Sequence, residues 1–188
     1  MGRPREIIDC GDFTLRRWRE REDFAAATAL IEESLEHLRP WETWVTEHSA
    51  EHTRGFLARC GLRWDEGEVF NYAVAAGDGR LLGMCQAYRW AEPGGRRLGY
   101  WLHPGATGRG IATRAAAALA AEMFALPDVA FVEIAHDLAN TASAAVPRRL
   151  GFAEVGRGPG TPPVPPAGTG IEVVWRLERP AADTVRPG

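Results

Sequence analysis

The first part of the chain changes from an alternating to a helical pattern of apolar residues. Residues 12–20 alternate apolar with charged side chains, which predicts a first strand. From residue 23 to about Leu38, apolar residues recur every three or four positions, so we predict a helix that Pro40 ends. A second helix is expected from near Ser49 to Cys60, with Gly61 as its stop signal.

The middle of the chain has the pattern of antiparallel strands. Val69–Ala76 and residues 80–90 are rich in apolar residues and are separated by a Gly-Asp-Gly turn, which predicts a hairpin. Residues 96–102 form a further predicted strand after a Pro-Gly-Gly turn.

The order of elements then changes. We predict a helix over residues 111–125, a strand over 128–137 and a short helix over 140–150. FAEVGR and IEVVWRLE are predicted terminal strands, and the proline- and glycine-rich segment 156–170 that joins them is expected to be irregular. Its PxxP spacing fits a polyproline ligand, but a mobile connection beside a binding site is favoured. We therefore predict one α+β domain over residues 1–179 and a disordered tail over 180–188.

Composition excludes some classes of function. The 188 residues are 45% hydrophobic and 25% charged, which is typical of a globular domain. A net charge of −3 gives no support to binding of nucleic acid or of an anionic membrane. No signal segment or membrane span is evident, so a cytoplasmic location is expected, with Cys10, Cys60 and Cys85 as reduced thiols.

A glycine pair lies where the predicted strand 96–102 gives way to the helix 111–125. In HPGATGRGIATRAAAALAAEMF (residues 103–124), Gly108 and Gly110 immediately precede the helix. Unpaired amides and the helix dipole make such a position a good anion site, although a plain turn has the same pattern. A P-loop is excluded because it requires a lysine, and this chain has none.

A dinucleotide fold is a further alternative for this loop. Glu133 follows the glycines at a suitable distance, but Thr113 occupies the third glycine position and an antiparallel hairpin precedes the loop. These two features disfavour a doubly wound sheet.

Several motifs in order closely resemble one family. LGYWLHPGATGRGIAT, FVEIAHDLANTASAAVPRRLGF and SLEHLRPW are similar to segments of the GNAT superfamily of N-acyltransferases, in its RimJ/RimL-type branch. The resemblance covers roughly residues 13–177. It implies a central, splayed, mixed but mostly antiparallel sheet of about seven strands with about four helices. It also implies acetyl-CoA, or another short acyl-CoA, between the fourth and fifth of these predicted strands, with no metal.

The resemblance assigns the cofactor residues. The family loop maps onto residues 107–112, although Thr107 stands where Gln or Arg is usual. The amides from Gly108 to Thr113 would hold the pyrophosphate, and the end of the predicted strand 96–102 would pair with pantetheine. The implied cofactor-binding residues are Trp101, Leu102, His103, Thr107, Gly108, Arg109, Gly110, Ile111, Ala112, Thr113, Asn140 and Arg149.

The catalytic groups are less clear. Many relatives carry a tyrosine acid where this chain has Pro147, and Asn140-x-x-Ser143 instead resembles a pattern in which the serine is the acid. Asn140 and Ser143 are equally typical of a helix start. Relatives often carry a glutamate base where this chain has Arg97. Glu133, His136, the displaced Glu154 and a water molecule remain as alternatives, and Ser143 with Glu133 is the candidate pair.

The acceptor is expected to enter from the side opposite the cofactor, between walls formed by residues 37–46 and the proline- and glycine-rich segment 156–170. The predicted substrate-binding residues are Leu38, Trp41, Trp44 and Tyr100. Glutamates 32, 33, 36 and 42 could attract a cationic acceptor, or they are ordinary surface charges of a helix.

Residues 48–52 spell H-x-x-E-H, an inverted zinc-peptidase signature. No third ligand is identifiable in the sequence, so a solvated helix is favoured over a zinc site.

The resemblance therefore implies an enzyme that transfers an acetyl group to a primary amine by direct attack in a ternary complex. The expected amine is a protein or peptide N-terminus or a small molecule, and the expected state is a monomer or homodimer. A catalytically silent acyl-CoA sensor and a dinucleotide-binding protein are the alternatives.

Overall fold

The protein was analysed as a computed structural model that describes residues 2–181. The predicted tail therefore falls almost wholly outside the described residues. The helices are α1 (Phe24–Leu38), α2 (Ala50–Asp65), α3 (Ile111–Phe124) and α4 (Thr141–Arg149), with short 3₁₀ turns at Thr43–Glu47 and Pro104–Ala106. The strands are β1 (Ile7–Asp9), β2 (Phe13–Arg17), β3 (Val69–Ala76), β4 (Leu81–Arg89), β5 (Gly95–Leu102), β6 (Phe131–Asp137), β7 (Ala153–Pro159) and β8 (Ile171–Glu178).

The eight strands form one sheet in the order β1-β2-β3-β4-β5-β6-β8-β7. Every pair of neighbours is antiparallel except β5 and β6, which are parallel because α3 crosses over between them. The parallel pairing runs only from Gly95 with Phe131 to Leu98 with Ile134. Beyond Leu98 the two strands separate, and this divergence positions the site.

Helices cover both faces of the sheet. Alternate residues of β3 enter different clusters, because side chains along a strand point to opposite faces. Ala73 and Ala75 pack with residues of α1 and α2, whereas Tyr72 and Val74 belong to the larger cluster that includes α3. None of the helices in residues 2–181 is long and apolar enough to cross a membrane.

The α+β fold with a mixed, mostly antiparallel sheet is confirmed, but residues 2–181 contain eight strands and not about seven. The additional strand, β1, has three residues and buries only Ile8, so it is too short to give an alternating pattern.

The prediction that Gly61 ends the second helix is wrong. α2 continues to Asp65, because its last turn buries Trp64 against Phe70 and Tyr72. Burial of a large aromatic side chain outweighs the roughly 1 kcal/mol that a glycine costs inside a helix.

The irregular segment is shorter than predicted. Residues 156–159 belong to β7, which pairs only with β8 at the sheet edge. An edge strand tolerates Pro159 because the missing N–H is not needed there.

Candidate active site

A cleft of about 690 Å³ opens where β5 and β6 separate. Its walls are the end of β5, the end of β6, the first turns of α3 and α4, the segment after α1 and the loop between β7 and β8. Because the ladder stops at Leu98, the edge of β5 from Gly99 to Leu102 has no strand partner on the β6 side. That edge is open to an extended ligand.

The start of α3 offers a row of free amides. Gly110 is the residue before the helix and has φ +70°, and Gly108 has φ +73°. The first helical bond runs from the Arg114 amide to the Gly110 carbonyl, so amides 108–113 have no acceptor among residues 2–181. Thr107 also lines the cleft, but its hydroxyl donates to the Pro104 carbonyl at 2.8 Å. The free donors of this loop are therefore backbone amides and not this hydroxyl.

The arginines near this loop differ in availability. Arg149 lines the cleft, whereas Arg109 is exposed and does not line it. Arg114 forms an ion pair with Asp12 and stacks on Phe13, with its guanidinium 4.7 Å from the ring centroid.

His103 also lies outside the cleft lining. Its Nδ1 accepts the Gly105 amide at 3.0 Å, and its Nε2 lies 3.3 Å from a carboxylate oxygen of Glu33. Its side chain therefore fixes the turn that leads into the glycine loop.

Tyr100 and Ser143 meet beside the open end of β5. The Tyr100 hydroxyl lies 3.2 Å from the Ser143 carbonyl oxygen and 3.3 Å from Ser143 Oγ. Pro147 lies one helical turn after Ser143 and has no N–H to donate to that carbonyl. The tyrosine thus satisfies an acceptor that the proline leaves free. Burial raises the pKa of Tyr100 to about 12, so the phenol is protonated at neutral pH.

Asn140 caps α4 and lines the cleft. Its side-chain oxygen accepts the Ser143 amide at 3.0 Å, which is the geometry of a helix N-cap.

Two of the base candidates have other partners. Glu133 is 2% exposed and does not line the cleft; it accepts from Arg97 at 3.2 Å and from Arg176 at 2.8 Å. His136 lines the cleft, but its Nε2 accepts the Trp175 indole N–H at 2.9 Å. That bond places the imidazole proton on Nδ1, where it donates to the Asp137 carbonyl at 2.8 Å.

The other end of the cleft is walled by the segment after α1. Leu38, Trp41 and Glu42 line it there, and Trp44 packs on Trp101 with ring centroids 6.1 Å apart. Trp44 itself does not line the cleft but donates its indole N–H to Glu42 at 2.8 Å.

The loop between β7 and β8 covers this end of the cleft. The Ala167 amide donates to the Pro40 carbonyl at 3.0 Å, which joins the loop to the segment after α1. Asp137 at the end of β6 accepts the amides of Thr169 and Gly170 at 2.9 and 3.0 Å. Burial alone would raise the pKa of Asp137, but these amide bonds offset it and the pKa lies below its usual value.

The structure brings most of the predicted site residues together. Glu133, His103, Arg109 and Trp44 are the predicted site residues that do not line the cleft. Those that do are Leu38, Trp41, Tyr100, Trp101, Leu102, Thr107, Gly108, Gly110, Ile111, Ala112, Thr113, Asn140, Ser143 and Arg149. The sequence did not distinguish Glu42 from the three other glutamates near it, at positions 32, 33 and 36. Glu42 lies in the irregular segment after α1, where no repeating pattern of residues indicates which side chains face a cleft.

The H-x-x-E-H motif does not form one helical face. His48 precedes α2 and Ser49 caps it, so His48 and His52 are not on the same helix. Among the described residues no group of three or more potential ligands could hold a metal ion.

Comparison with solved structures shows the same fold in several acetyltransferases. RimL, the ribosomal L7/L12 α-N-protein acetyltransferase in complex with coenzyme A, superposes with a TM-score of 0.83 at 22% identity, over 92% of this chain and 98% of that chain. RimJ of Mycobacterium smegmatis, in complex with a CoA-disulfide, superposes with a TM-score of 0.78 at 24% identity, over 93% of this chain and 85% of that chain. The microcin C7 self-immunity acetyltransferase MccE, in complex with acetyl-CoA and AMP, superposes with a TM-score of 0.82 at 16% identity, over 92% of this chain and 96% of that chain.

A search of curated protein sequences finds no match. The family described as acetyltransferase (GNAT) domain matches residues 12–153, which is most of the chain. The predicted resemblance is thereby confirmed: this chain belongs to the GNAT family of acetyltransferases.

Proposed function

We propose that the protein transfers the acetyl group of acetyl-CoA to a primary amine within the cleft between β5 and β6. The carrying observation is the divergence of the two strands beyond Leu98, next to the free amides of residues 108–113. Those amides would bind the pyrophosphate, and the open edge of β5 would pair with the pantetheine arm. The acetyl group would then lie near Tyr100 and Ser143.

The residues beside the thioester supply a proton donor. Attack by the neutral amine forms the C–N bond, and collapse of the tetrahedral species breaks the C–S bond and releases a thiolate. Ser143 Oγ gives that thiolate its proton. The Tyr100 O–H, which lies 3.3 Å from Oγ, then turns from the Ser143 carbonyl to Oγ and reprotonates it. The high pKa of Tyr100 keeps this phenol in its donor form. As the amide forms, its nitrogen loses a second proton to solvent, and solvent returns one proton to Tyr100. The net products are an amide, coenzyme A and one proton released from the original ammonium.

We propose a peptide or protein N-terminus as the acceptor class. The structural neighbours RimL and RimJ support this, since RimL is named for acetylating an α-amino group of a ribosomal protein. Small-molecule amines are the comparison class. A cytoplasmic location fits the free thiols of Cys10, Cys60 and Cys85, because unpaired cysteines are typical of a reducing compartment.

A thiol-release assay tests this function. Acetyl-CoA is incubated with peptides of varied N-terminal residue and with small amines, and the products are identified by mass spectrometry. We expect CoA release that depends on a peptide amine and gives an acetylated N-terminus. Tight acetyl-CoA binding without release for any acceptor would indicate the silent sensor instead.

The same assay tests the proton donor. Ser143→Ala should lower kcat by about 100-fold while the affinity for acetyl-CoA changes little, as removal of a general acid requires. Thr141→Ala, an exposed hydroxyl at the start of the same helix, is the matched control. Equal kcat values for the two variants would show that Ser143 is not the proton donor.

A further inference from the structure

Glu42 is a carboxylate inside the cleft at the acceptor end. It follows α1, where its amide donates to the Leu38 carbonyl at 2.9 Å, and its side chain lines the cleft beside Trp41. The Trp44 indole N–H donates to one of its carboxylate oxygens at 2.8 Å. This bond fixes the side chain and leaves the other oxygen without a hydrogen bond to any of residues 2–181.

The position of Glu42 is tied to the strand that would hold the thioester. Trp44, its hydrogen-bond partner, packs on Trp101 of β5. Consecutive residues of a strand point to opposite faces, so Tyr100 contacts Ser143 on one face of β5 while Trp101 contacts Trp44 on the other. Ser143 and Glu42 therefore approach the end of β5 from opposite sides.

The other carboxylates that line the cleft are already engaged. Asp137 on β6 accepts the amides of the covering loop, and Glu172 on β8 pairs with Arg97 at 3.2 Å. Glu33 on α1 lies against His103. No ion pair joins Glu42 to any cation of the described part of the chain.

The other ionisable groups that line the cleft are His37 on α1, Tyr100 on β5, His136 on β6 and Arg149 on α4. None of these groups shifts the pKa of Glu42; burial raises this pKa, and the hydrogen bond from the Trp44 indole lowers it by less. Glu42 thus takes up a proton more readily than an ordinary surface glutamate.

We propose that Glu42 binds the acceptor ammonium and accepts its proton before the amine attacks the thioester. This rests on the proposed function. One N–H bond of the ammonium breaks, its electron pair remains on nitrogen, and the proton moves to the free carboxylate oxygen. The neutral amine then attacks, and the proton leaves Glu42 to water at the open end of the cleft.

The structure leaves few competing bases. Arg97 occupies the strand position where relatives carry a glutamate, and Glu133 is enclosed by two arginines. His136 Nε2 is occupied by the Trp175 indole, and Glu154 pairs with Arg157. Among the carboxylates that line the cleft in the described part of the chain, Glu42 is the one that keeps an oxygen without a hydrogen bond or ion pair.

The first test compares Glu42→Gln with Glu36→Gln. Glu36 is exposed on α1 and does not line the cleft. Its substitution therefore removes the same type of side chain at a position where it cannot contact the acceptor. At pH 7 we expect Glu42→Gln to lower kcat/KM for a peptide amine by about 100-fold. The gap should close as the pH rises above the pKa of the amine, because the free base then needs no proton acceptor. Glu36→Gln should remain within twofold of the unchanged protein.

The second test uses Trp44→Phe, which keeps an aromatic ring against Trp101 but removes the indole N–H. Loss of that donor disfavours the charged carboxylate, so the acidic limb of the kcat/KM profile should move to higher pH. A structural role alone would not move this limb. If the unchanged protein turns over but Glu42→Gln matches Glu36→Gln at every pH, Glu42 is not the base. If the unchanged protein has no turnover, the proposed function itself fails.

Discussion

Gly110 has a backbone conformation that only glycine adopts without strain. Its φ is +70°, and a Cβ built there would meet no atom of the described residues within 4 Å. Space is therefore not what selects glycine at this position. The left-handed conformation costs other residues about 1–2 kcal/mol, and relaxing it would reorient the free amides before α3.

We expect Gly110→Val to weaken the binding of coenzyme A at least about tenfold, which is some 1.4 kcal/mol. Isothermal titration calorimetry measures this directly. Gly61→Ala is the matched control, since Gly61 lies inside α2 with open space around it and the change favours helix. Unchanged affinity in Gly110→Val would mean that the loop is a turn and not an anion site.

Glu133 presents a buried charge network and not a reactive group. Its carboxylate lies between Arg97 and Arg176, and Arg97 further contacts Glu172 and stacks on Trp90. Removing one member of a buried ion pair leaves uncompensated charge in a medium of low dielectric constant. Its role is therefore expected to lie in stability.

We predict that Glu133→Gln destabilises the fold by about 3 kcal/mol and lowers Tm by roughly 6–12 °C. The exposed Glu178→Gln on β8 should leave Tm nearly unchanged. After correction for the folded fraction, kcat should stay within about twofold. A large loss of kcat with an intact Tm would instead support Glu133 as the catalytic base.

At the scale of elements, a single side chain, Asp137, attaches the loop between β7 and β8 to the end of β6. Asp137 accepts from Ala139, Thr169 and Gly170, and the loop reaches across to Pro40. Because the pKa of Asp137 lies below its usual value, this anchor is present above about pH 4 and is lost only as the pH falls further.

We expect Asp137→Asn to raise KM for the acceptor several-fold with little effect on coenzyme A binding. The amide group that replaces one oxygen would face backbone donors, so the loop would detach and its amides would exchange faster. Hydrogen exchange over residues 160–170 measures this, with the exposed Asp128→Asn as control. Equal exchange in both variants would show that the loop orders itself by other contacts.

The long elements were predictable because their patterns are local. α1, α3 and the β3–β4 hairpin carry periodic apolar residues with clear turn or stop signals, and the structure has them within a few residues. The end of α2 was not predictable from Gly61, since the burial of Trp64 depends on strands that follow it in sequence. Long-range packing decides such boundaries.

At the scale of the whole molecule, the resemblance pointed to the glycine loop that lines the cleft, but not to the contacts that form across the sheet. The contact of Tyr100 with Ser143 joins a strand to a helix 43 residues later. The approach of Glu42 to the end of β5 depends on how the segment after α1 lies over the sheet. No regular spacing in the sequence predicts either contact, so both contacts could be found only in the three-dimensional structure.

The short parallel ladder has a mechanical consequence. Four register pairs between β5 and β6 join the first five strands to the last three, and above them the sheet is split. A ligand bound between the separated ends of β5 and β6 would contact both parts of the sheet. It would connect them where no backbone hydrogen bonds do. Bound acetyl-CoA would then resist further separation of the two parts of the sheet, and the enzyme would be most rigid when its acetyl donor is bound.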